Sequence, residues 1–250
     1  MKTKKQQSIQ LLLIGLLLFN ALWFVTALLF QNKALPNPIE VYSIFPKTFK
    51  AGMAEHIWAS SQRVVIGILI SLILGIIGGV LTAMSKRINQ VLEPLLYLSY
   101  PIPKLALMPI IMIVFGIGET TKIVMIVLII VFQLIISIRD AIRRIPKENY
   151  YVLSSIGASR FQQIKHIMIP GVLPDILSAI RVTVGIAISV LFVTESFGTD
   201  KGLGFFIVDS WMRLDYISMY AGIVALSVIG FLLFLIIDLV DTFFCKWNKI

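Results

Sequence analysis

The sequence contains little cysteine, little histidine and little charge. A single cysteine, Cys245, among 250 residues excludes an intrachain disulfide, and no Cys/His cluster has the spacing of a metal site. The two histidines, His56 and His166, lie in different predicted loops, and the sequence has no HExxH, GxSxG or GxxxxGKS/T motif. We therefore expect no catalytic, cofactor-binding or metal site in this chain.

Apolar residues dominate instead. The sequence is 58% hydrophobic and 14% charged, with a mean hydropathy of +0.93, which exceeds what a soluble domain needs to fill its core. A helix needs about 20 apolar residues to cross a hydrocarbon layer about 30 Å thick. Six runs approach that length: 9–30, 64–84, about 91–115, 123–138, about 176–197 and 220–240. We predict an all-α integral membrane protein with six transmembrane helices.

The lysines and arginines predict the orientation of these spans. The start MKTKK resembles a secretory signal, but the apolar run after it is too long and no A-x-A site follows, which favours an uncleaved first span. With the amino terminus inside, thirteen of the 22 basic residues fall in cytoplasmic segments and six in external ones. We therefore predict a multi-pass protein of the cell membrane with both termini cytoplasmic. This topology accounts for the net charge of +9 without a nucleic acid partner.

The longest predicted cytoplasmic segment, about 139–170, includes a polar and basic stretch, SSIGASRFQQIKHIMIPGVLP, at 154–174. Gly157 can adopt the left-handed conformation that ends many helices. Ser159 and Gln162 have the spacing of a capping box, which predicts that a second helix starts directly after Ser159. The stretch therefore predicts two short helices joined by a glycine turn.

Three functions fit this two-helix loop. Phe161, Ile164 and Met168 lie on one face of the second helix, which Pro170 and Pro174 are expected to end. An amphipathic, basic helix can lie on the inner leaflet of the membrane. Alternatively, the loop could be a DNA-binding helix-turn-helix, although it lacks the supporting helices of a free domain, or a docking element for a cytoplasmic protein.

Four ordered motifs resemble one family. From Gly157, nine residues lead to the tetrapeptide IMIP at 167–170, as in the later part of the cytoplasmic EAA signature of permease subunits in bacterial ATP-binding-cassette importers. LPNPIEV at 35–41, YPIPKLALMPIIMIVFGIGETTKI at 100–123 and GLGFFI at 202–207 are similar to the nitrate, sulfonate and taurine branch. The resemblance runs from about Leu35 to the end of the chain.

The resemblance implies a permease that forms the pathway for a small solute such as nitrate, a sulfonate, taurine or a thiamine-precursor pyrimidine. It implies a homodimer, two cytoplasmic subunits that bind ATP and magnesium, and an extracytoplasmic solute-binding protein. The competing hypothesis is a stand-alone secondary transporter or channel. In chain order, residues 1–58 would form the tail, first span and external loop, and residues 59–250 the transmembrane core.

In the resembling family, the EAA segment docks on the ATPase. The positions of E-A-A are Tyr151, Val152 and Leu153 here, so the usual acidic contact is absent while apolar docking remains possible. The predicted docking residues are Tyr151, Val152, Leu153, Gly157, Ala158, Ser159, Arg160, Phe161, Ile167 and Pro170.

The predicted spans contain a few further candidates. Small residues recur at four-residue spacing in the second run, where they could pack helices within the subunit, form a dimer seam or line the pathway: Gly67, Ser71, Gly75, Gly79 and Ala83. Lys104 and Glu195 are candidate pathway or gate residues, because charges within spans often mark function. The resembling family also tends to have an acid near the position of Glu195, whereas Arg181 and Asp238 are expected to snorkel or pair.

Overall fold

The structure, a computed structural model, describes residues 4–249, and side chains from 10 to 247. Residues 1–3 of the predicted cytoplasmic tail and residue 250 lie outside this part. All regular structure in the described chain is helical. The α-helices are α1 Lys4–Phe30, α2 Pro38–Thr48, α3 Ala54–Met84, α4 Lys86–Leu98, α5 Met108–Phe115, α6 Glu119–Arg144, α7 Lys147–Ser155, α8 Arg160–Gln163, α9 Ile169–Glu195, α10 Leu203–Met212 and α11 Tyr216–Phe244.

Five helical segments are long and apolar enough to cross a membrane: Gln10–Phe30, Pro38–Met84, Glu119–Arg144, Arg160–Glu195 and Tyr216–Phe244. Each contains one of the predicted apolar runs or nearly all of it. The prediction of an all-α, multi-pass fold is therefore confirmed.

The third predicted run, 91–115, is not one helix. The chain leaves α4 at Leu98, passes through non-helical residues and a 3-10 turn at Lys104–Leu107, and forms the eight-residue α5, which ends at Gly116 with φ of +80°. Pro101 and Pro103 interrupt the helix because a proline has no N–H to donate and disfavours helical backbone in the preceding residue. The count of six spans, with both termini inside, stays a prediction.

The core of the fold is formed by α3, α6 and α9, which pack side by side. The small-residue line of α3 faces α6 of the same chain. A Cβ atom added at Gly75 would lie 2.7 Å from Leu134 Cβ, and one at Gly79 would lie 2.7 Å from Ile138 Cβ. Ser71, one turn before Gly75, is fully buried and donates to the Gly67 carbonyl at 2.7 Å. The line thus lets two helices approach closely within the subunit.

The helix α1 is attached to this core near its C-terminal end. Trp23 stacks on Tyr220 of α11 with ring centroids 5.5 Å apart, and its indole N–H donates to the Pro36 carbonyl at 3.1 Å. Most of the apolar side chains of α1 before Trp23 are exposed, including Leu11 and Leu17. In a membrane these side chains face lipid or a neighbouring helix.

Candidate functional site

The two-helix loop between α6 and α9 has the local structure that its sequence predicts. Gly157 has φ of +78° and ends α7 in a Schellman motif. Its N–H donates to the Ser154 carbonyl, and the Ala158 N–H donates to the Leu153 carbonyl, both at 3.0 Å. These bonds satisfy carbonyls at the helix end and turn the chain sharply toward α8.

A capping box starts the second helix. The Gln162 N–H donates to Ser159 Oγ at 3.3 Å, and the Ser159 N–H donates to Gln162 Oε1 at 2.7 Å. Gln163 Nε2 donates to Ser154 Oγ at 3.0 Å, which joins the two helices of the loop across the turn. The loop is therefore a defined hairpin rather than a flexible connection.

The expectation that Pro170 and Pro174 end the second helix is wrong. Helix α8 continues through a π-helical turn, Ile164–Met168, into α9, so that one helix runs from Arg160 to Glu195. Pro170 lies in the first turn of α9, directly after the wider π-helical turn, and has no N–H to donate there. Pro174 lies inside α9 without breaking it.

The tip of the hairpin exposes large apolar side chains. The exposed fractions are 66% for Tyr151, 67% for Val152, 76% for Ile156 and 73% for Phe161. Four such residues in one short segment form an apolar patch of the kind that marks an interaction site. The remaining predicted docking residues divide into exposed ones (Gly157, Ser159 and Arg160) and partly buried ones (Leu153, Ala158, Ile167 and Pro170).

The base of the hairpin is anchored to two spans. Ile138 and Ala141 of α6 form a small buried cluster with Met168 and Val172, which lie at the start of the long helix to Glu195. Burial beside the spans also raises the pKa of Tyr150 in α7 above its ordinary value, so this hydroxyl stays neutral. The base of the hairpin is thus packed against α6 through Met168 and Val172.

Glu195 lies in a buried ion cluster at the opposite end of the long helix. Its carboxylate is fully buried and accepts hydrogen bonds from Ser60 Oγ and Arg63 Nη1, both at 2.7 Å, and from the Gly204 N–H at 2.9 Å. Arg63 also forms an ion pair with Glu119 at the start of α6. All three core helices and the start of α10 therefore meet at one cluster, and the gate or pathway role of Glu195 stays a prediction.

The loop after α9 is held in the same cluster. Gly202 has φ of +124°, and an added Cβ would lie 2.6 Å from Arg63 Nη1. Arg63 Nη1 donates to the Lys201 carbonyl at 2.7 Å, and the Gly202 N–H donates to His56 Nδ1 at 3.1 Å. Only glycine fits this approach, which accounts for the first glycine of the GLGFFI motif.

Sequence analysis singled out Glu195 but assigned no partner to it. Arg63 and Ser60 lie 132 and 135 residues away along the chain, and no local pattern connects them to Glu195. One available signal was Arg63 itself, since an arginine bordering an apolar run needs an anionic partner when it is buried.

Lys104, the second pathway candidate, lies beside α6 and α9. Its Nζ lies 5.5 Å from the centroid of the Phe132 ring. It borders an open cavity of about 700 Å³ with Gly185 and Ser189 of α9. Arg181 and Asp238 form an ion pair with each other, which confirms the expectation that they pair.

A metal site requires several ligand side chains close together. Within residues 4–249, no group of three or more histidine, cysteine, aspartate or glutamate side chains is placed to hold a metal ion. The exposed hairpin, its anchored base and the continuous helix behind it belong to an all-helical protein with five helical segments long and apolar enough to cross a membrane.

The sequence matches the family of binding-protein-dependent transport system inner membrane components over residues 64–244, and the chain belongs to that family. It is thus a multi-pass permease of the inner membrane. It is similar to the taurine transport system permease protein TauC of Escherichia coli, with 32% identity covering 84% of this chain and 79% of the relative. It is also similar to the formylaminopyrimidine transport permease protein ThiX of Halalkalibacterium halodurans, with 27% identity covering 93% of this chain and 94% of the relative.

A solved structure supports the fold. The chain is similar to one from the inward-facing MetNI methionine ABC transporter, with a TM-score of 0.64, 16% identity, and coverage of 75% of this chain and 93% of that one.

Proposed function

We propose that this permease is the membrane subunit of an ABC importer, and that it forms the pathway for a small solute of the sulfonate, taurine, nitrate or thiamine-precursor class. ATP hydrolysis takes place on separate cytoplasmic subunits that hold the nucleotide and its magnesium ion. Support comes from the family membership, from relatives named for taurine and formylaminopyrimidine transport, and above all from the apolar patch on the hairpin tip.

The hairpin tip is the proposed docking surface for an ATPase subunit. Burial of a large apolar side chain contributes about 1.5–3 kcal/mol, so the four exposed residues of the patch would contribute roughly 6–12 kcal/mol before the costs of association. A patch of this size fits a helix-in-groove contact. Tyr151 and Val152 thus supply apolar area where the family signature has an acid and a small residue.

The anchored base provides a route from ATPase to pathway. The hairpin cannot tilt without disturbing Met168 and Val172 in their buried cluster with α6. Because the helix continues from Arg160 to Glu195, movement at the hairpin would carry along a span that reaches the outer ion cluster. The same proposal includes two copies of this chain, two ATPase subunits, an external binding protein and both termini in the cytoplasm.

Substitution of Gly157 tests the docking surface. Asn and Asp both tolerate the left-handed backbone and have the same shape, and an added Cβ would meet no atom within 4 Å. Gly157→Asp places a charge in an apolar contact, whereas Gly157→Asn does not. We expect Gly157→Asp to lower recovery of the ATPase in a detergent pull-down by at least about tenfold, and Gly157→Asn to retain most of it.

Membrane insertion of both variants should equal that of the parent protein. Normal recovery and transport with Gly157→Asp would contradict docking, and would favour a hairpin that only lies on the inner leaflet. Ion-gradient-driven uptake by the purified chain without any ATPase would instead support the secondary transporter and overturn the importer.

A further inference from the structure

Lys104 is a cation at membrane depth without an anionic partner. Arg63 faces Glu119 and Glu195, and Arg181 faces Asp238. Among the described residues, by contrast, Lys104 Nζ forms no ion pair and no hydrogen bond. It lies over the face of the Phe132 ring, 5.5 Å from the ring centroid. An ammonium group that has no protein partner is costly in hydrocarbon, so Lys104 requires water or an anion beside it.

The cavity beside Lys104 continues along the same face of the protein. A second cavity, of about 520 Å³, shares Val182 with the first and extends toward the inner ends of α6 and α9. Its walls include Gln133, Ser137 and Ser178, and also Asp140 and Asp175, whose carboxylates form ion pairs with Arg139 and Arg144. The cavity at Lys104 is otherwise lined mainly by apolar side chains. Within the part of the chain that has described side chains, the Gln133 amide has no protein hydrogen-bond partner, so each cavity carries a polar group that the protein leaves unsatisfied, Lys104 in the first and Gln133 in the second.

The groove between α1 and α11 differs in this respect. Its polar groups bond within the protein: the Tyr42 hydroxyl donates to Asn20 Oδ1 at 2.6 Å, Thr26 Oγ1 to the Trp23 carbonyl at 2.8 Å, and Ser227 Oγ to the Ile223 carbonyl at 2.8 Å. That groove suits lipid, because its polar groups need no water. The α6/α9 face suits an aqueous surface.

We propose that the face formed by α6, α9 and the 3-10 turn at Lys104 lines the solute pathway, and that Lys104 is the residue that favours a negatively charged solute there. This inference rests on the proposed import function and narrows its substrate class. Sulfonates and nitrate carry negative charge at neutral pH, whereas a neutral pyrimidine has nothing to pair with the ammonium group. No carboxylate lines the cavity at Lys104 to compete for it.

Charged thiol reagents can test this in the full-length protein in membrane vesicles, without ATPase or substrate. Ser189→Cys in a Cys245→Ser background places one thiol in the cavity with Lys104. Its labelling rate is measured with a methanethiosulfonate bearing a sulfonate group and with one bearing a trimethylammonium group. At about 6 Å in water, one positive charge raises the local concentration of an anion about threefold and lowers that of a cation about threefold. We therefore expect Lys104→Gln to lower the ratio of the anionic to the cationic labelling rate about tenfold.

Two serines provide matched controls. Ser178→Cys lies on the same face but in the second cavity, and its rate ratio should change little when Lys104 is replaced. Ser227→Cys lies at membrane depth in the α1/α11 groove, and it should react with neither reagent. Like Ser189, Ser227 donates to the carbonyl four residues earlier, so the two sites differ mainly in their surroundings.

An unchanged ratio at Ser189→Cys after Lys104→Gln would overturn the role of Lys104. No labelling at Ser189→Cys and Ser178→Cys, or equal labelling at Ser227→Cys, would overturn the assignment of the face. Neither result depends on ATPase recovery, so failure of this inference is distinguishable from failure of the importer proposal.

Discussion

Replacing Glu195 with alanine would leave the guanidinium of Arg63 buried with one partner fewer. Three groups donate to the Glu195 carboxylate in the native protein: Ser60 Oγ, Arg63 Nη1 and the Gly204 N–H. The side chain of Arg63 is only 2% exposed, so water cannot readily replace the lost carboxylate. The Glu119 carboxylate, the other partner of Arg63, is 64% exposed.

These burial values predict an order of destabilisation. Breaking a buried pair from one side typically costs 3–5 kcal/mol, which we expect for Glu195→Ala. Glu195→Gln preserves the shape and can still accept the Gly204 N–H, so it should cost about 1.5–3 kcal/mol, the worth of a hydrogen bond to a charged group. Glu119→Gln removes a largely solvated partner and should cost about 0–1 kcal/mol.

Thermal unfolding of the purified protein in one detergent measures this order. For a chain of this length, 1 kcal/mol corresponds to about 2–4 °C in Tm. The expected decreases are therefore about 6–20 °C for Glu195→Ala, about 3–12 °C for Glu195→Gln and at most about 4 °C for Glu119→Gln. If Glu119→Gln lowered Tm as much as Glu195→Ala, the burial argument would be refuted.

Two further substitutions probe packing and capping. Gly75→Ala places a methyl group 2.7 Å from Leu134 Cβ and should destabilise the protein by about 1–3 kcal/mol. In the control Gly15→Ala the added Cβ meets no atom within 4 Å, so this variant should not lower Tm. Equal decreases in Tm would contradict close packing of α3 on α6. Ser159→Ala removes the hydroxyl that accepts the Gln162 N–H and should lower the stability of the second helix by about 0.5–2 kcal/mol. Limited proteolysis should then cleave the hairpin faster. An unchanged cleavage rate would contradict the capping role.

Features that depend on neighbouring residues could be predicted from the sequence. Apolar runs of spanning length gave the long helices, because backbone groups in lipid must bond within their own segment. Gly157 and the pair Ser159 and Gln162 predicted the hairpin, since a left-handed turn and a capping box are each encoded within a few residues. The face of α3 that packs closely was visible in the spacing of its small residues.

Features that depend on distant residues could not be predicted from the sequence. Neither Arg63 nor Ser60 carries a local signal that names Glu195 as its partner, and only tertiary packing brings the three side chains together. The prolines were also ambiguous: those before Lys104 interrupt a helix, whereas Pro170 and Pro174 are accommodated within one. A π-helical turn directly before Pro170 accompanies its accommodation, and the sequence did not predict that turn.

The ion cluster of Arg63, Glu119 and Glu195 also has an order of synthesis. Arg63 is synthesised 56 residues before Glu119 and 132 residues before Glu195. At about 5–20 residues per second, the ribosome delivers Glu119 after roughly 3–11 s and Glu195 after roughly 7–26 s. Glu119 is thus the first of the two counter-ions that becomes available to the arginine, and the cluster can be completed only when the last part of α9 has been synthesised.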